Sequence, residues 1–301
     1  MGRLPALALL IGTLAVSTAP PLILLAGVQP FALAAWRLLA VGLILLPLAA
    51  RPLARDLRQL KGRECLWLVA SGVMYGLHFG LFNLAFFHTS KESVVVLLGV
   101  QPLMAAGIGA VWLKEELTRR MLLASSIAIA GLAVFVWYDY TFDASHLVGD
   151  ALVLACGLAI VLSYSTGRRL RPRMSLLGYL AVLYWVGGLT CLCIAVPTGN
   201  RLWGYSGEQW MWLGLAVLIP TLVGHSLFHY VVKYVPVFYV NLTILGEPIL
   251  ALVIMYLLRN EYSVFRDSTL TTLQLIGGSL LMLGVVFGIW KRRPKPLEVV
   301  A

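Results

Sequence analysis

The stretch LLGVQPLMAAGIGAVWLKEELT, residues 97–118, has a looser second copy at residues 244–263, ILGEPILALVIMYLLRNEYS. In both, a proline near the head of a long apolar run is followed 13 residues later by a glutamate, Pro102 to Glu115 and Pro248 to Glu261. Further on, GLAVFVW at 131–137 matches GVVFGIW at 284–290, with about seven extra residues after Glu261 in the second copy. Upstream, His78 and His225 hold near-equivalent places. This internal repeat divides the chain into halves of 1–145 and 146–301.

The runs inside the repeat are too apolar for water. Hydrophobic residues make up 60% of the 301 and charged residues only 12%, far from a soluble domain. A helix needs roughly 20 apolar residues to cross a bilayer. Windows of that kind fall near 4–25, 30–50, 65–88, 93–113, 121–138, 148–166, 175–196, 209–231, 236–258 and 271–290, which predicts ten transmembrane helices. No ten-residue alternating pattern repeats, so a β-barrel is excluded. The run at 4–25 is too long for a signal peptide, and Pro20-Pro21 blocks an ordinary cleavage site.

The formal charge of +10 could point to nucleic acid, but the basic residues sit in short clusters between apolar runs rather than in a stripe with interleaved aromatics. They read as topology signals. Placing both termini in the cytoplasm puts 18 Lys and Arg on the inner side and only Lys91, Arg201, Arg259 and Arg266 outside, with Arg37 inside a span. The expectation is a multi-pass protein of the cell membrane, an inner membrane where there are two. Five spans per half is odd, so the halves enter the membrane with opposite orientation, an inverted repeat of the kind secondary transporters use.

These residues resemble the drug/metabolite transporter superfamily, in its EamA-type ten-helix branch. The resemblance spans nearly the whole chain. It rests on the arginine midway along FALAAWRLLA (Arg37), on QPLMAAGIGAVWLKEEL and its counterpart LGEPILALVIMYLLRNEYS, and on the ending LIGGSLLMLGVVFGIW. The chain departs from the family's pattern where a usual Gly-Glu reads Arg259-Asn260-Glu261. What the resemblance implies is an all-α permease that exports or exchanges amino acids, related metabolites or drugs through a central cavity, without ATP.

Ionisable groups at membrane depth cost about 2.5–3.5 kcal/mol on insertion scales, so each needs a partner or a wet cavity. They are few: Arg37, His78, His225, His229 and Glu247. Arg37 can attract a substrate carboxylate, close a gate, or pair structurally with Glu247. Glu247, beside Pro248, can exchange a proton, bind an amino group, or serve as a structural partner of Arg37 or a histidine. Gln101 lies at similar depth. Tyr75, Tyr184 and Trp185 can stack on a substrate or simply pack. The expected substrate-binding set is therefore Arg37, Tyr75, His78, Gln101, Tyr184, Trp185, His225 and Glu247.

His225 and His229 share a helix face, so a metal site with His78 and Glu247, in an intramembrane enzyme, is the rival reading. HSLFH, however, lacks the general base of zinc motifs. No P-loop, GxSxG, HExxH or Rossmann fingerprint occurs in a usable context. Cys65, Cys156, Cys191 and Cys193 lack CxxC spacing. The sequence thus predicts a non-enzyme without cofactor or resident metal, whose partners are a small substrate, the bilayer and a coupling proton. A homodimer is compatible with it. Gly72, Gly76 and Gly80, like Gly284 and Gly288, are spaced for close helix packing.

Overall fold

The computed structural model describes residues 3–89, 94, 97–137, 146–266, 268 and 270–290; Lys91 and the basic tail after Trp290 lie outside these. All regular elements described are helical. In chain order they are α1 (Arg3–Val16), α2 (Ala19–Ala26), α3 (Pro30–Gln59), α4 (Gly62–Ala85), α5 (Gln101–Trp112), α6 (Arg119–Phe135), α7 (Leu147–Leu170) and α8 (Leu176–Ala195). Then come α9 (Gly207–Ala216), a π-helical segment (Val217–His225), α10 (Ser226–Val231), α11 (Val237–Ile244), α12 (Glu247–Leu258) and α13 (Thr272–Ile289).

Eight of the ten expected spans are long and apolar enough to cross a membrane: Arg3–Ala26, Pro30–Leu57, Gly62–Ala85, Leu147–Leu170, Leu176–Ala195, Gly207–Val231, Val237–Leu258 and Thr272–Ile289. The expected fourth and fifth spans are represented by shorter helices, α5 with 12 residues and α6 with 17. Residues 93, 95 and 96 of the fourth lie outside the described ones.

Local chemistry explains where helices start and break. Thr118, Ser175, Ser206 and Thr271 each cap a helix, their hydroxyls accepting from the backbone N–H three residues on. Pro20-Pro21 splits the first span, and at the break the Thr13 and Ala15 carbonyls accept both the backbone N–H and the hydroxyl of Ser17 and Thr18, the hydroxyls at 2.7 Å each. The ninth span breaks just before Glu247-Pro248, between α11 and α12. Pro220 sits within the π segment, where the Thr221 hydroxyl donates to the Ala216 carbonyl at 2.7 Å.

Packing between early and late helices exchanges when the two copies are swapped. α3 crosses α8, and α6 crosses α13; α4 packs on α7 as the π segment and α10 pack on α1; α4 packs on α8 as the π segment packs on α3. The crossings run through small residues. A Cβ on Gly131 would lie 2.3 Å from the Leu281 nitrogen, and one on Gly277 2.3 Å from the Phe135 nitrogen. Gly72 and Gly76 abut Val186 and Gly187, while Gly80 faces the Phe31 ring. Close backbone approach is what small residues permit in lipid.

Candidate functional site

The breaks and the π turn converge on one internal cavity of about 40 Å³, lined by Arg37, His78, Gln101, His225 and Glu247 together with Phe79, Phe82, Tyr164 and Ile160. A water needs some 10–15 Å³, so there is room for about three. Gln101 and Glu247 each open a half-helix, immediately before Pro102 and Pro248. They hold corresponding places in the two copies of the repeat. A carboxylate in the first turn of α12 meets the positive end of the helix dipole.

Arg37 projects from the N-terminal third of α3. Its Nε donates to the Thr221 hydroxyl at 2.9 Å, and its guanidinium lies 4.6 Å from the centre of the Phe79 ring. Its Nη2 is buried without a partner. Among the described residues the ion pairs are Arg55–Asp56, Arg168–Glu115 and Arg173–Glu64. Arg37 and Glu247 thus face the same cavity without a direct ion pair, so the structural pairing considered from sequence is not formed.

The histidines differ in surroundings. His78 Nδ1 is 3.0 Å from the Cys156 carbonyl oxygen; donating there leaves Nε2 as an acceptor. His225 Nδ1 lies 3.3 Å from the Tyr164 hydroxyl. His229, one turn further, is fully buried with both ring nitrogens unpartnered, among the rings of Tyr75, Tyr164 and Tyr179 at 5.2, 4.8 and 5.5 Å. Among the described residues no three of His, Cys, Asp and Glu are grouped to hold a metal ion. The intramembrane-enzyme reading therefore finds no support.

Of the eight expected site residues, five line the cavity. Tyr75 and Tyr184 stand one layer behind. Tyr75 packs its ring on His225 at 5.9 Å, and the Tyr184 hydroxyl donates to the Thr221 carbonyl at 2.7 Å. Trp185 turns away and packs against Gly42 on α3. Phe79, Phe82 and Tyr164 were not expected in the wall, although Phe79 and Phe82 lie one and four residues from His78. Thr221, the anchor of Arg37, carries one sequence signal, its place directly after Pro220.

Beyond the cavity, one end of the bundle is tied by Arg168. This residue lies one turn along α7 from Tyr164. Its Nε donates to Glu115 at 3.0 Å, and Nη1 donates to the carbonyls of Val232 and Lys233 at 3.1 and 2.9 Å. At the other end the 196–206 connection folds over α3. There the Phe31 N–H donates to Asn200 Oδ1 at 3.2 Å, and the Trp36 indole donates to the Leu202 carbonyl at 2.9 Å.

A search of curated proteins gives no match. A solved structure described as "Crystal structure of protein" is similar to this chain with a TM-score of 0.75 at 18% identity, over 95% of this chain and 96% of that one. At that identity the likeness speaks to the fold. The model of the EamA-like transporter family matches residues 3–137 and again 147–290. The chain belongs to the EamA-like transporter family.

Proposed function

We propose that the protein is a secondary transporter of small zwitterionic metabolites of the amino-acid class, exporting or exchanging them by alternating access. In this reading ten spans form two inverted five-helix halves, 1–145 and 146–301, with both termini in the cytoplasm. The exchange of packing partners between the two copies supports it. So does the pair of half-helices that begin with Gln101 and Glu247.

One observation carries the substrate class: an arginine and a carboxylate share the cavity wall but do not neutralise each other. A buried charge without a partner is expensive, and a zwitterion satisfies both at once. Arg37 takes its carboxylate, with His78 and His225 beside it. Glu247 meets its ammonium, or the coupling proton when the site is free of substrate. Phe79, Phe82 and Tyr164 accept the side chain.

The test is counterflow in proteoliposomes with an amino acid, its decarboxylated amine and its deaminated acid. The zwitterion is expected to exchange at least tenfold faster than either partial analogue, a difference of about 1.4 kcal/mol. Glu247→Gln should erase the preference over the acid. Equal rates for all three compounds would remove the reading.

Room for three waters is too little for a metabolite, so the wall must widen during the cycle. The Arg168 tie stands across one exit, on the cytoplasmic side in the proposed orientation. Ser163 is buried on α7 between Ile160 of the cavity wall and Arg168, and Arg168→Gln is expected to raise, about tenfold, the reactivity of Ser163→Cys with an impermeant thiol reagent applied from that side, in a background lacking the native cysteines. That factor corresponds to about 1.4 kcal/mol, the scale of a hydrogen bond to a charged group. Unchanged reactivity would mean that Arg168 is no latch.

A further inference from the structure

A second feature lies away from the cavity, where α4, α5 and α7 meet near the end of the bundle that holds Arg168. Trp67 on α4 and Trp112 on α5 pack edge to face, ring centres 5.4 Å apart. The Arg169 guanidinium lies 4.2 Å from the Trp67 ring centre and 5.9 Å from that of Trp112, and the Arg63 guanidinium lies 5.2 Å from Trp67. Two cations from different helices are thus held around one indole.

Neither the Arg63 nor the Arg169 side chain makes a hydrogen bond or ion pair with the described residues. The neighbouring Arg173 differs, being neutralised by Glu64 at 2.6 Å. Both free arginines are exposed. The helices that carry the two indoles also expose apolar side chains, Leu66 at 66%, Val69 at 45% and Val111 at 75% exposure. A planar fork of N–H donors fits a phosphate in two-pronged fashion, and stacking on an indole holds that fork in place. Tryptophan belongs at headgroup depth. Basic pockets between helices on the cytoplasmic face suit anionic headgroups.

From this we infer that Arg63, Arg169, Trp67 and Trp112 form a binding site for an anionic phospholipid, the phosphate held by the two arginines and the acyl chains lying against the exposed apolar side chains of α4 and α5. An arginine that only marks topology would need neither the indole beneath it nor a partner from another helix. The site is independent of the transported substrate.

Native mass spectrometry of the full-length protein, released from detergent with equal phosphatidylglycerol and phosphatidylcholine, tests it. The unaltered chain is expected to retain phosphatidylglycerol about tenfold over phosphatidylcholine. Arg63→Gln with Arg169→Gln should bring the ratio close to one, and Arg58→Gln, an exposed arginine stacked on no ring, should leave it unchanged. Arg169→Lys keeps the charge but loses the planar stack, and is expected to fall between. Should the double variant fail to purify, Trp67→Leu, which keeps both charges, must still lower the ratio. Equal retention of the two lipids by the unaltered chain would overturn the proposal, as would a full preference in the double variant. Added inorganic phosphate at millimolar concentration should displace little lipid; complete displacement would point to a free-anion site and also overturn it.

Discussion

Valine in place of Gly76 is expected to prevent the bundle from closing, with a loss of about 3 kcal/mol or more. A Cβ at this position would stand 2.4 Å from the Gly187 carbonyl oxygen and 2.9 Å from its Cα. Overpacking costs about 1–3 kcal/mol when side chains can yield. Here the obstacle is backbone, so α4 and α8 would have to separate along their shared crossing. Those two helices also carry Tyr75, His78, Phe79 and Tyr184, and separation would disturb the cavity wall. Gly107 is the control, because a Cβ there meets nothing within 4 Å. The Gly107→Ala variant should melt within about 2 °C of the unaltered protein, whereas Gly76→Val should lose its monodisperse peak in size-exclusion chromatography or melt more than about 10 °C lower. A Gly76→Val protein that melts with the original would show that the helices do not approach this closely.

The same crossing illustrates what the sequence makes legible. Gly72, Gly76 and Gly80 recur every four residues, which places them on one helix face and marks it for close packing. Hydropathy located the long spans for the same reason, since burial in lipid imposes a composition that can be read directly. It was blind to backbone breaks. An apolar run reads alike whether it is one helix or two halves, and within the expected span at 236–258 the one local signal was Pro248, which can loosen the helix beside Glu247, where α11 and α12 part. Helix lengths erred as well: α3 continues to Gln59 because Arg51, Arg55 and Arg58 extend it past the apolar window that ended at residue 50.

Candidate site residues were legible where charge made them conspicuous. Arg37, His78, His225 and Glu247 stand out in any apolar window and converge in space. Depth and direction were not legible. His225 and His229 share a face but differ by about 6 Å along the helix axis, enough to put one in the cavity and the other in a cage of tyrosine rings. Tyr184 and Trp185 are adjacent in sequence and about 100° apart around α8, so one backs the cavity and the other turns toward Gly42. The aromatic wall of Phe79, Phe82 and Tyr164 was invisible because 11% of the chain is aromatic, and nothing local separates a ring lining a cavity from a ring in the core.

Transport of the zwitterion is expected to fall about 100-fold in Arg37→Gln, equivalent to about 2.7 kcal/mol, with the fold intact. The side chain is 2% exposed, yet one prong of its guanidinium has no protein partner. Truncating one member of a buried, hydrogen-bonded charge pair typically costs 2–5 kcal/mol, and the missing member here is the substrate carboxylate. Glutamine retains a donor for the Thr221 hydroxyl, 2.9 Å from Nε in the native arrangement. Loss of Arg37 also removes the wall's fixed positive charge, so transport of a decarboxylated amine should survive better than that of the amino acid and the order of preference should invert. Lysine keeps the charge without the planar fork, and Arg37→Lys is expected to lose about tenfold. An arginine that only fixed the packing of α3 against Phe79 and the π segment would behave otherwise. Its removal would lower the melting temperature and slow zwitterion, amine and acid by one common factor. Counterflow with the three compounds, beside a melting curve for each variant, separates these outcomes; a uniform loss would withdraw Arg37 from substrate recognition.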